Sequence, residues 1–524
     1  MDLYPEKVFF HTNEKPKIHL EGIQEKLSYR LYQNETLLLS GVIKKDQASL
    51  LLPFLPEGSY GLEMGKRSTA FEVSDHPYRH PRYGFLCDFA PEETSTEYLT
   101  FFKKMHLNIA QFYDWMYRHE DYFPKESLFT DPMGKRKSEE VIATKLSDNK
   151  KNNILSFAYG AIYGATNLYG ESHPEERFYD ANGKPYTFID RFSIMNFATS
   201  HWRQTLLENY QKAVNFGFEG IHMDTYGSPK EAFDAQGKEI FFAEEFPILI
   251  GAAVTALQPF QGAVTFNNVS AWPCEKTFPC PSSFDYVEVW SPFDGYSDLL
   301  GLIEKQHDLG KGKSLVLAAY LQPFYENDEG ALHAALYLDA VIAAGGAFHL
   351  MYGGNGKALR TGYYPDNASL NEKEIEKIRQ LSDFALRYGD YLFDSSLEEV
   401  SKSEIGGPNG DVFFSSPNVE ATMKAGRVFA LLKEKRSLTT LSLINFQEQT
   451  SLAWNEKKEK PKQTGPLSFH IRGLDGKVRA FWASPENATM EALPTAYHDG
   501  FLWGVIPSFA LWGLLVVKRG GNDD

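Results

Sequence analysis

Two acidic residues in predicted strands are the first candidates for chemistry. Asp224 ends the short apolar run 220–224, which follows a glycine turn, and Glu288 lies inside the apolar run 286–290. In parallel α/β folds, catalytic side chains lie at the carboxyl ends of strands. An aspartate at a strand end also suits a cap that opens the next loop. The position of Asp224 alone leaves both interpretations open.

A pair of carboxyl groups is what hydrolysis of a glycosidic bond requires. Two carboxyl groups about 5 Å apart act as nucleophile and acid/base, and the anomeric configuration is retained. The acid must stay protonated near neutral pH, and apolar or aromatic surroundings raise its pKa. Glu288 lies between valines and close to Trp290, which makes it the better acid and Asp224 the better nucleophile. The alternative for Glu288 is a buried ion pair.

A metal site is the main alternative around Asp224. His222 and Asp224 are two residues apart, so their side chains point the same way from a strand. The first predicted strand carries Cys87 and Asp88 where a metal-dependent hydrolase barrel would have His-x-His, and His349 suits a core position as well as a ligand. The chain also lacks a Gly-x-Ser-x-Gly elbow and a glycine-rich phosphate loop after a strand. We predict no metal and no cofactor.

Alternating strands and helices between residues 81 and 395 are expected to position these residues. Strand-like runs occur at 84–90, 107–113, 154–159, 220–224, 263–267, 284–290, 315–320 and 347–352, with helical segments such as 200–210 and 332–342 between most of them. A (β/α)8 TIM barrel has eight strands with helices between them, which is the number found here. The segments 114–136 and 160–190 are inserted loops, which usually build the substrate cleft.

Short alternating runs on both sides of this region predict β-sandwiches. Residues 1–80 show the period-two pattern of a small antiparallel sandwich, and residues 396–524 carry strand-like runs without a helical pattern. The last residues, 520–524, are expected to be frayed. The sequence therefore predicts a multidomain protein with domains at 1–80, 81–395 and 396–524.

Polar and aromatic residues at the strand ends are expected to converge on one cleft. The predicted substrate-binding residues are Asp114, Trp115, Tyr159, Asn267, Trp290 and Tyr352. Carboxylates and amides bind hydroxyl groups, and aromatic rings stack on the faces of sugars. A lining with almost no basic group indicates a neutral polyhydroxyl ligand.

The net charge and the apolar content limit the binding partners and the cellular compartment that the sequence predicts. The 524 residues carry a formal net charge of −16, so neither nucleic acid nor an anionic membrane surface would be attracted. The sequence shows no apolar run of about 18 residues and no N-terminal signal peptide. We expect a cytoplasmic protein or, alternatively, a secreted one whose signal has been removed. The sequence does not decide whether Cys274 and Cys280 form a disulfide bridge.

Three motifs resemble glycoside hydrolase family 66. They are QFYDWMYRH at 111–119, GFEGIHMDTYG at 217–227 and DYVEVW at 285–290. That family contains endo-dextranases and cycloisomaltooligosaccharide glucanotransferases, which act on α-1,6-linked glucan with retention. The resemblance implies an N-terminal immunoglobulin-like domain, a (β/α)8 barrel and a C-terminal β-sandwich. It also implies that Asp224 is the nucleophile and Glu288 the general acid/base.

The resemblance therefore predicts a retaining, endo-acting hydrolase of dextran or isomalto-oligosaccharides, which we expect to be a monomer. The chain shows no carbohydrate-binding module inserted in the barrel, as the cyclising glucanotransferases typically have, and this favours hydrolysis over cyclisation. Transglycosylation to cyclic or longer products is the alternative reaction. A non-catalytic glucan-binding protein is the alternative of another class.

Overall fold

β-Sheet forms most of the regular structure of this chain. The computed structural model describes residues 1–472 and 478–519, and the predicted frayed end at 520–524 lies outside them. Among the described residues, no helix combines the length and apolar character needed to cross a bilayer. Cys87, Cys274 and Cys280 all carry free thiols, so Cys274 and Cys280 are not bridged.

The N-terminal strands form two small antiparallel sheets. The strands are β1 (Asp2–Pro5), β2 (Lys17–Glu21), β3 (Leu27–Gln33), β4 (Thr36–Ile43), β5 (Ser49–Leu51), β6 (Gly58–Met64) and β7 (Arg67–Val73). One sheet has the order β1-β2-β5 and the other β4-β3-β6-β7. Ile18, Leu31 and Phe71 are buried in a shared core, because alternate residues of a strand face the same side.

A long curled sheet, parallel over most of its length, follows in the chain. The strands between residues 83 and 369 are β8 (Tyr83–Leu86), β9 (Ile109–Phe112), β10 (Leu128–Thr130), β11 (Arg136–Ser138), β12 (Leu155–Ala161), β13 (Gly164–Thr166), β14 (Thr187–Phe188), β15 (Phe192–Ile194), β16 (Gly220–Asp224), β17 (Glu231–Phe233), β18 (Glu239–Phe241), β19 (Ala263–Val269), β20 (Asp285–Glu288), β21 (Leu315–Ala318), β22 (Phe348–His349), β23 (Tyr352–Gly353), β24 (Lys357–Leu359) and β25 (Asn367–Ser369). The curled sheet has the order β22-β21-β20-β19-β16-β12-β9-β8-β23-β24-β25. Each of the eight predicted strands overlaps a strand of this sheet.

The curled sheet returns on itself at one short segment. β22 pairs in parallel with β21, and β23, which starts three residues after β22 ends, pairs in parallel with β8. The pairing of Gly353 with Phe85 is close, since a Cβ atom at Gly353 would collide with the carbonyl oxygen of Phe85. Because neighbouring strands run in parallel, their carboxyl ends lie along one edge of the sheet.

Helices lie between most of these strands in the chain. They are α1 (Glu97–Met105), α2 (Glu139–Lys151), α3 (Asn167–Ser172), α4 (Ser200–Phe216), α5 (Phe242–Leu257), α6 (Cys274–Thr277), α7 (Tyr296–Leu309), α8 (Glu329–Gly345), α9 (Glu372–Arg387), α10 (Gly389–Leu392) and α11 (Ser401–Glu404). Gly217 directly follows α4 and Gly346 directly follows α8, with φ angles of 131° and 95°. Glycine adopts this backbone region without a Cβ penalty, so it stops each helix and redirects the chain toward the next strand.

The C-terminal strands form two further sheets. The strands are β26 (Glu398–Glu399), β27 (Val412–Phe414), β28 (Val419–Glu420), β29 (Val428–Lys435), β30 (Leu438–Asn445), β31 (Leu467–Arg472), β32 (Val478–Ser484), β33 (Asn487–Ala492), β34 (Thr495–His498), β35 (Phe501–Ile506) and β36 (Trp512–Arg519). One sheet runs β26-β29-β30-β36-β32-β33, with β28 on β29, and the other runs β27-β31-β35-β34. Leu443, Phe469 and Val517 are buried in a shared core.

α8 and α9 connect the curled sheet to the C-terminal sheet. The ring centres of Phe384 in α9 and Trp512 in β36 are 4.9 Å apart, and those of Tyr337 in α8 and Phe446 are 5.2 Å apart. Aromatic pairs at these distances contribute beyond the area that they bury. The division of the chain at residues 80 and 395 remains a prediction.

Asp383 in α9 connects the N-terminal sheet to the central region. One of its carboxylate oxygens accepts hydrogen bonds from the hydroxyl of Thr69 at 3.1 Å and the backbone amide of Ala70 at 2.9 Å. The same oxygen is 2.8 Å from Nε2 of His106, which follows α1. A buried carboxylate with three partners from two other elements fixes their relative positions.

Replacing Asp383 by Ala should lower the stability of the fold by about 3 kcal/mol, because the variant leaves Thr69, Ala70 and His106 buried without their acceptor. The measurement is the midpoint of urea unfolding of the whole chain. The same change at Asp308, whose side chain is 72% exposed, should leave the midpoint almost unchanged. Equal midpoints for the two variants would contradict this role of Asp383.

Candidate active site

A cavity of about 500 Å³ opens at the carboxyl ends of the parallel strands. Its lining is mainly aromatic and acidic. The aromatic residues are Tyr113, Tyr159, Tyr163, Phe188, Phe192, Tyr226, Tyr286, Trp290, Tyr320, Tyr363 and Tyr364, and the acidic residues are Asp114, Asp131, Asp224 and Glu288. Such a lining can bind a neutral ligand that has both hydroxyl groups and apolar faces.

Asp224 is held at the end of β16 by two short hydrogen bonds. One carboxylate oxygen accepts from the hydroxyl of Tyr159, in β12, at 2.7 Å, and the other accepts from Nδ2 of Asn267, in β19, at 2.7 Å. β12 and β19 are the two neighbours of β16 in the sheet. The orientation of the carboxylate is therefore fixed from both sides.

Asn267 also contacts the second carboxyl group. Its Nδ2 donates to an oxygen of Glu288, at the end of β20, at 3.2 Å. Since the same nitrogen is bonded to both side chains, the nearest oxygens of Asp224 and Glu288 are less than about 6 Å apart. On the other side of Glu288, a Cβ atom at Gly362 would come within 2.9 Å of Oε1, so the backbone of the loop between β24 and β25 lies directly against this carboxyl group.

Burial governs the protonation of the two carboxyl groups. It raises the pKa of Asp224, and the nearby charge of Glu288 raises it further. Burial likewise raises the pKa of Glu288, while the hydrogen bond from Asn267 opposes the rise. Two carboxyl groups this close cannot both ionise easily, so the pair retains one proton at a higher pH than an isolated carboxyl group would.

Two further polar side chains of the cavity, those of Tyr159 and His222, are neutral at physiological pH. Burial raises the pKa of the Tyr159 hydroxyl well above its usual value and lowers the pKa of His222 to about 3. The ring of His222 is hydrogen-bonded through Nδ1 to the hydroxyl of Tyr83, at 3.1 Å. Among the described residues, no group of three or more His, Cys, Asp or Glu side chains could hold a metal ion.

Four of the predicted substrate-binding residues line the cavity: Asp114, Tyr159, Asn267 and Trp290. Asp114 directly follows Tyr113, beyond the end of β9, and has a left-handed backbone with φ of 48°. Burial raises the pKa of its carboxyl group to about 7. Trp290 is 39% exposed, so one part of its ring remains free to contact a ligand.

Trp115 and Tyr352 do not line this cavity. Trp115 is 1% exposed, packs against Phe218 and donates its indole N–H to the carbonyl of Tyr159 at 3.2 Å. It supports the cavity wall from behind. Tyr352 donates its hydroxyl to Asp339 in α8 at 2.7 Å, away from Asp224 and Glu288.

Several residues in the cavity were not among the predicted substrate-binding residues. Tyr364 stacks on Tyr113 with ring centres 4.3 Å apart, His119 and Tyr226 come from loops, and Phe188 comes from the short strand β14. Tyr113 is the last residue of the predicted strand 107–113, which is a usable signal. The loop residues follow no periodic pattern, so the sequence offers no signal from which they could be predicted.

Comparisons with known proteins identify the family of this chain. The sequence model of glycosyl hydrolase family 66 matches residues 57–516. The chain belongs to this family. As a family 66 member it is an enzyme of the glycoside hydrolase type. The match confirms the family that the three motifs predicted.

Two named proteins show how far this similarity extends. A cycloisomaltooligosaccharide glucanotransferase of Niallia circulans is 25% identical to the family 66 chain over 440 residues, which are 74% of this chain and 44% of that protein. The chain thus spans less than half the length of that relative. The solved cycloisomaltooligosaccharide glucanotransferase of Paenibacillus sp., in complex with cycloisomaltoheptaose, superposes with a TM-score of 0.88, covering 98% of this chain and 99% of that one at 18% identity.

A more distant fold similarity is found in the α-amylases. The maltogenic α-amylase AmyB of Thermotoga neapolitana has a TM-score of 0.53 and 12% identity, covering 83% of this chain and 98% of that one. At such low identity the similarity concerns the fold alone. The family 66 chain therefore shares its general architecture with that α-amylase.

Replacing Asp224 by Asn should stabilise the family 66 chain above neutral pH. A carboxyl group with a raised pKa contributes stability while it is protonated, and this stability is lost as the pH rises through the folded pKa. Asn keeps the size of the side chain but cannot ionise. The variant should therefore be more stable than the unchanged protein at pH 8, by at least about 1 kcal/mol, and the difference should shrink towards pH 4.

Thermal unfolding at both pH values tests this expectation. An Asp308→Asn variant, altered at an exposed carboxylate, serves as the control and should unfold like the unchanged protein at both. If Asp224→Asn is no more stable at pH 8 than at pH 4, relative to that control, the burial of a charged pair does not limit stability.

Proposed function

We propose that this family 66 enzyme cleaves α-1,6-glucosidic linkages with retention, with Asp224 as nucleophile and Glu288 as general acid/base. The observation that carries the proposal is the single amide nitrogen of Asn267 bonded to both carboxyl groups. The two bonded oxygens are less than about 6 Å apart, which agrees with the roughly 5–5.5 Å between the carboxyl groups of retaining pairs.

The two roles follow from the hydrogen bonds. Asp224 accepts two bonds of 2.7 Å, from Tyr159 and Asn267, and such bonds favour the ionised form. Glu288 accepts a longer bond of 3.2 Å from the same amide, and burial raises its pKa. Burial raises the pKa of both carboxyl groups, so we assign the proton to Glu288 because Asp224 accepts the two shorter hydrogen bonds.

The reaction then proceeds in two displacements. In the first, the Asp224 carboxylate bonds to the anomeric carbon, the bond from that carbon to the glycosidic oxygen breaks, and Glu288 gives this oxygen its proton. In the second, Glu288 takes a proton from water, whose oxygen bonds to the anomeric carbon and displaces Asp224. Two inversions at one carbon give net retention, and both carboxyl groups return to their starting states.

The proposed substrate class is supported by the lining of the cavity and by the names of the similar proteins. The aromatic and acidic lining suits a neutral sugar chain, and the relatives are named for isomaltooligosaccharides, one of them solved with cycloisomaltoheptaose. We infer that an isomalto-oligosaccharide or the end of a dextran chain occupies the cavity.

We also infer the three-part architecture that the motifs imply. It comprises an immunoglobulin-like β-sandwich at 1–80, a catalytic (β/α)8 barrel at 81–395 and a β-sandwich at 396–524. The pairing of β23 with β8 and of β22 with β21 supports a closed barrel. The two sheets at each end of the chain support the sandwiches.

Transfer of the glycosyl group to another sugar is the second candidate, and the name of the Niallia circulans relative favours it. Transfer shares the first displacement with hydrolysis, and a sugar hydroxyl replaces water in the second. A non-catalytic glucan-binding role is disfavoured, because both carboxyl groups that the proposed displacement needs are present and are bonded to one amide.

Asp224→Gly and Glu288→Gln should each lower the rate of dextran cleavage by at least about 1,000-fold, because each removes one partner of the displacement. With azide added, the Asp224→Gly variant should form the β-glycosyl azide, since a single displacement inverts the anomeric carbon. NMR of the product identifies the anomer, and the initial product of the unchanged enzyme should be the α-anomer. An initial β-anomer would contradict retention.

Products formed from isomalto-oligosaccharides should separate hydrolysis from transfer. We expect each cleavage to release one new reducing end and chains no longer than the substrate. Mass spectrometry and reducing-end titration measure both. Cyclic products, which lack a reducing end and resist exo-glucosidases, or products longer than the substrate would favour transfer instead.

A further inference from the structure

Tyr320 lies against Glu288, the general acid of the proposed reaction. A Cβ atom placed on Gly362 would be 2.9 Å from Oε1 of Glu288 and 3.5 Å from Cε2 of Tyr320, so the carboxyl group and the ring border the same point. Burial raises the pKa of Glu288, and the side chain of Tyr320 opposes this rise. The position of Tyr320 therefore affects both the orientation and the protonation of the acid.

Tyr320 follows the end of β21, where a side chain extends the strand pairing. The pairing of β21 with β22 ends at Leu317 and His349. The backbone carbonyl of Ala319 lies two residues further along and is 3.1 Å from Nε2 of His349. Because a carbonyl can only accept, this nitrogen carries a hydrogen and donates it to Ala319.

Asp339 in α8 holds the ring of His349 from the other side. Nδ1 of His349 is 2.6 Å from Oδ1 of Asp339, and the hydroxyl of Tyr352 donates to Oδ2 at 2.7 Å. The partner of one ring nitrogen sets the orientation of the other, so Asp339 directs Nε2 at Ala319. The His349 side chain is only 6% exposed, and water therefore competes little for these bonds.

Two hydrogen bonds flank Tyr320 in the chain. The carbonyl of the preceding residue, Ala319, accepts from His349, and the backbone N–H of the following residue, Leu321, donates to the carbonyl of Leu359 in β24 at 3.3 Å. The first of these bonds comes from a side chain, so a substitution can remove it without changing the backbone of either strand.

His349 and Tyr320 lie in different cavities. Tyr320 lines the cavity that contains the two acids. His349 does not line that cavity, but lines a second one of about 100 Å³ together with Asp339 and residues of α9. His349 therefore does not contact a substrate beside Glu288, and an effect on the reaction would have to pass through the backbone at Ala319.

We propose that His349 is a positioning residue for the general acid. By holding the carbonyl of Ala319 it fixes Tyr320 against Glu288, and Tyr320 keeps the carboxyl group aligned with the glycosidic oxygen that receives its proton. Asp339 supports this role by orienting the ring. The inference rests on the proposed function, in which Glu288 is the proton donor of the first displacement.

Two variants separate the two nitrogens of the ring. The amide nitrogen of His349→Gln extends as far as Nε2 and can still donate to Ala319, whereas that of His349→Asn extends only as far as Nδ1 and keeps the contact with Asp339. His349→Asn should lower kcat/KM on isomaltoheptaose about 10-fold, a part of the roughly 100- to 10,000-fold that a general acid supplies. His349→Gln should restore most of this loss. Equal losses in the two variants, at equal thermal stability, would overturn the role of the Ala319 contact.

A substrate whose leaving group needs no proton tests the connection to Glu288. α-Isomaltotriosyl fluoride releases fluoride, a weak base, so the first displacement on it depends little on an acid. His349→Asn should therefore change kcat/KM on the fluoride by less than about 2-fold, since only proton donation is impaired. A loss on the fluoride as large as that on isomaltoheptaose would overturn the proposal, because it would reflect a weakened fold or weakened binding.

His307→Asn is the matched control. Nε2 of His307 also contacts a backbone carbonyl, that of Ser395, at 3.1 Å, but His307 lines neither of the two cavities. This variant should keep the kcat/KM of the unchanged enzyme on both substrates. A loss on isomaltoheptaose equal to that of His349→Asn would overturn the specific role of His349.

A double substitution tests whether His349 acts through Tyr320. Tyr320→Phe removes the hydroxyl that faces Glu288, so adding His349→Asn to it should lower kcat/KM on isomaltoheptaose by less than His349→Asn does alone. Fully additive losses would overturn the proposed route from His349 to the acid.

Glu288→Gln separates a failure of this inference from a failure of the proposed function. If Glu288 is the acid, this variant should lose far more kcat/KM on isomaltoheptaose than on the fluoride. Equal losses on the two substrates would contradict the acid role of Glu288, and the role of His349 would fail with it. If that difference is found and His349→Asn cleaves isomaltoheptaose like the unchanged enzyme, the role of His349 alone is overturned.

Discussion

The hydrogen bonds of one side-chain amide hold together the two buried acids of the cavity. Asn267 donates from a single nitrogen to both Asp224 and Glu288, and thereby keeps their bonded oxygens less than about 6 Å apart. Burying two carboxyl groups side by side costs stability, because both resist ionisation in a low-dielectric cavity. Such a pair persists only where the surrounding structure fixes it, and here the fixing groups come from neighbouring strands.

The curled sheet provides that rigidity through its register. Asn267 pairs with Tyr286, and Glu288 lies two residues further along β20, so its side chain points to the same side of the sheet as that of Tyr286. β16 pairs with β19 immediately before Asp224, which places Asp224 beside Asn267. A slip of one residue between β19 and β20 would turn Glu288 away from the cavity, so the strand pairing determines where the two carboxyl groups meet.

Strand periodicity and strand ends are local signals, so the sequence could predict the strands and the position of Asp224 and Glu288 at strand ends. Trp115 was misplaced because Asp114 takes a left-handed backbone, which turns the next side chain into the core. Tyr352 was misplaced because the predicted strand 347–352 is divided into the two short strands β22 and β23. His349 and Tyr352, three residues apart, therefore both contact Asp339. The loop residues of the cavity depend on tertiary contacts and leave no pattern in the sequence.

Three copies of one turn show why local sequence cannot assign a function. The sequence Asp-x-x-Gly-Lys occurs at 131–135, 180–184 and 234–238, and in each copy Oδ1 of the aspartate accepts the backbone N–H of the lysine. The local physics of the three turns is therefore equivalent. Their surroundings differ, because Asp131 is among the residues that line the cavity and lies beside Lys137, whereas Asp180 and Asp234 do not line it. Those surroundings are set by the packing of loops, which no local pattern in the sequence contains.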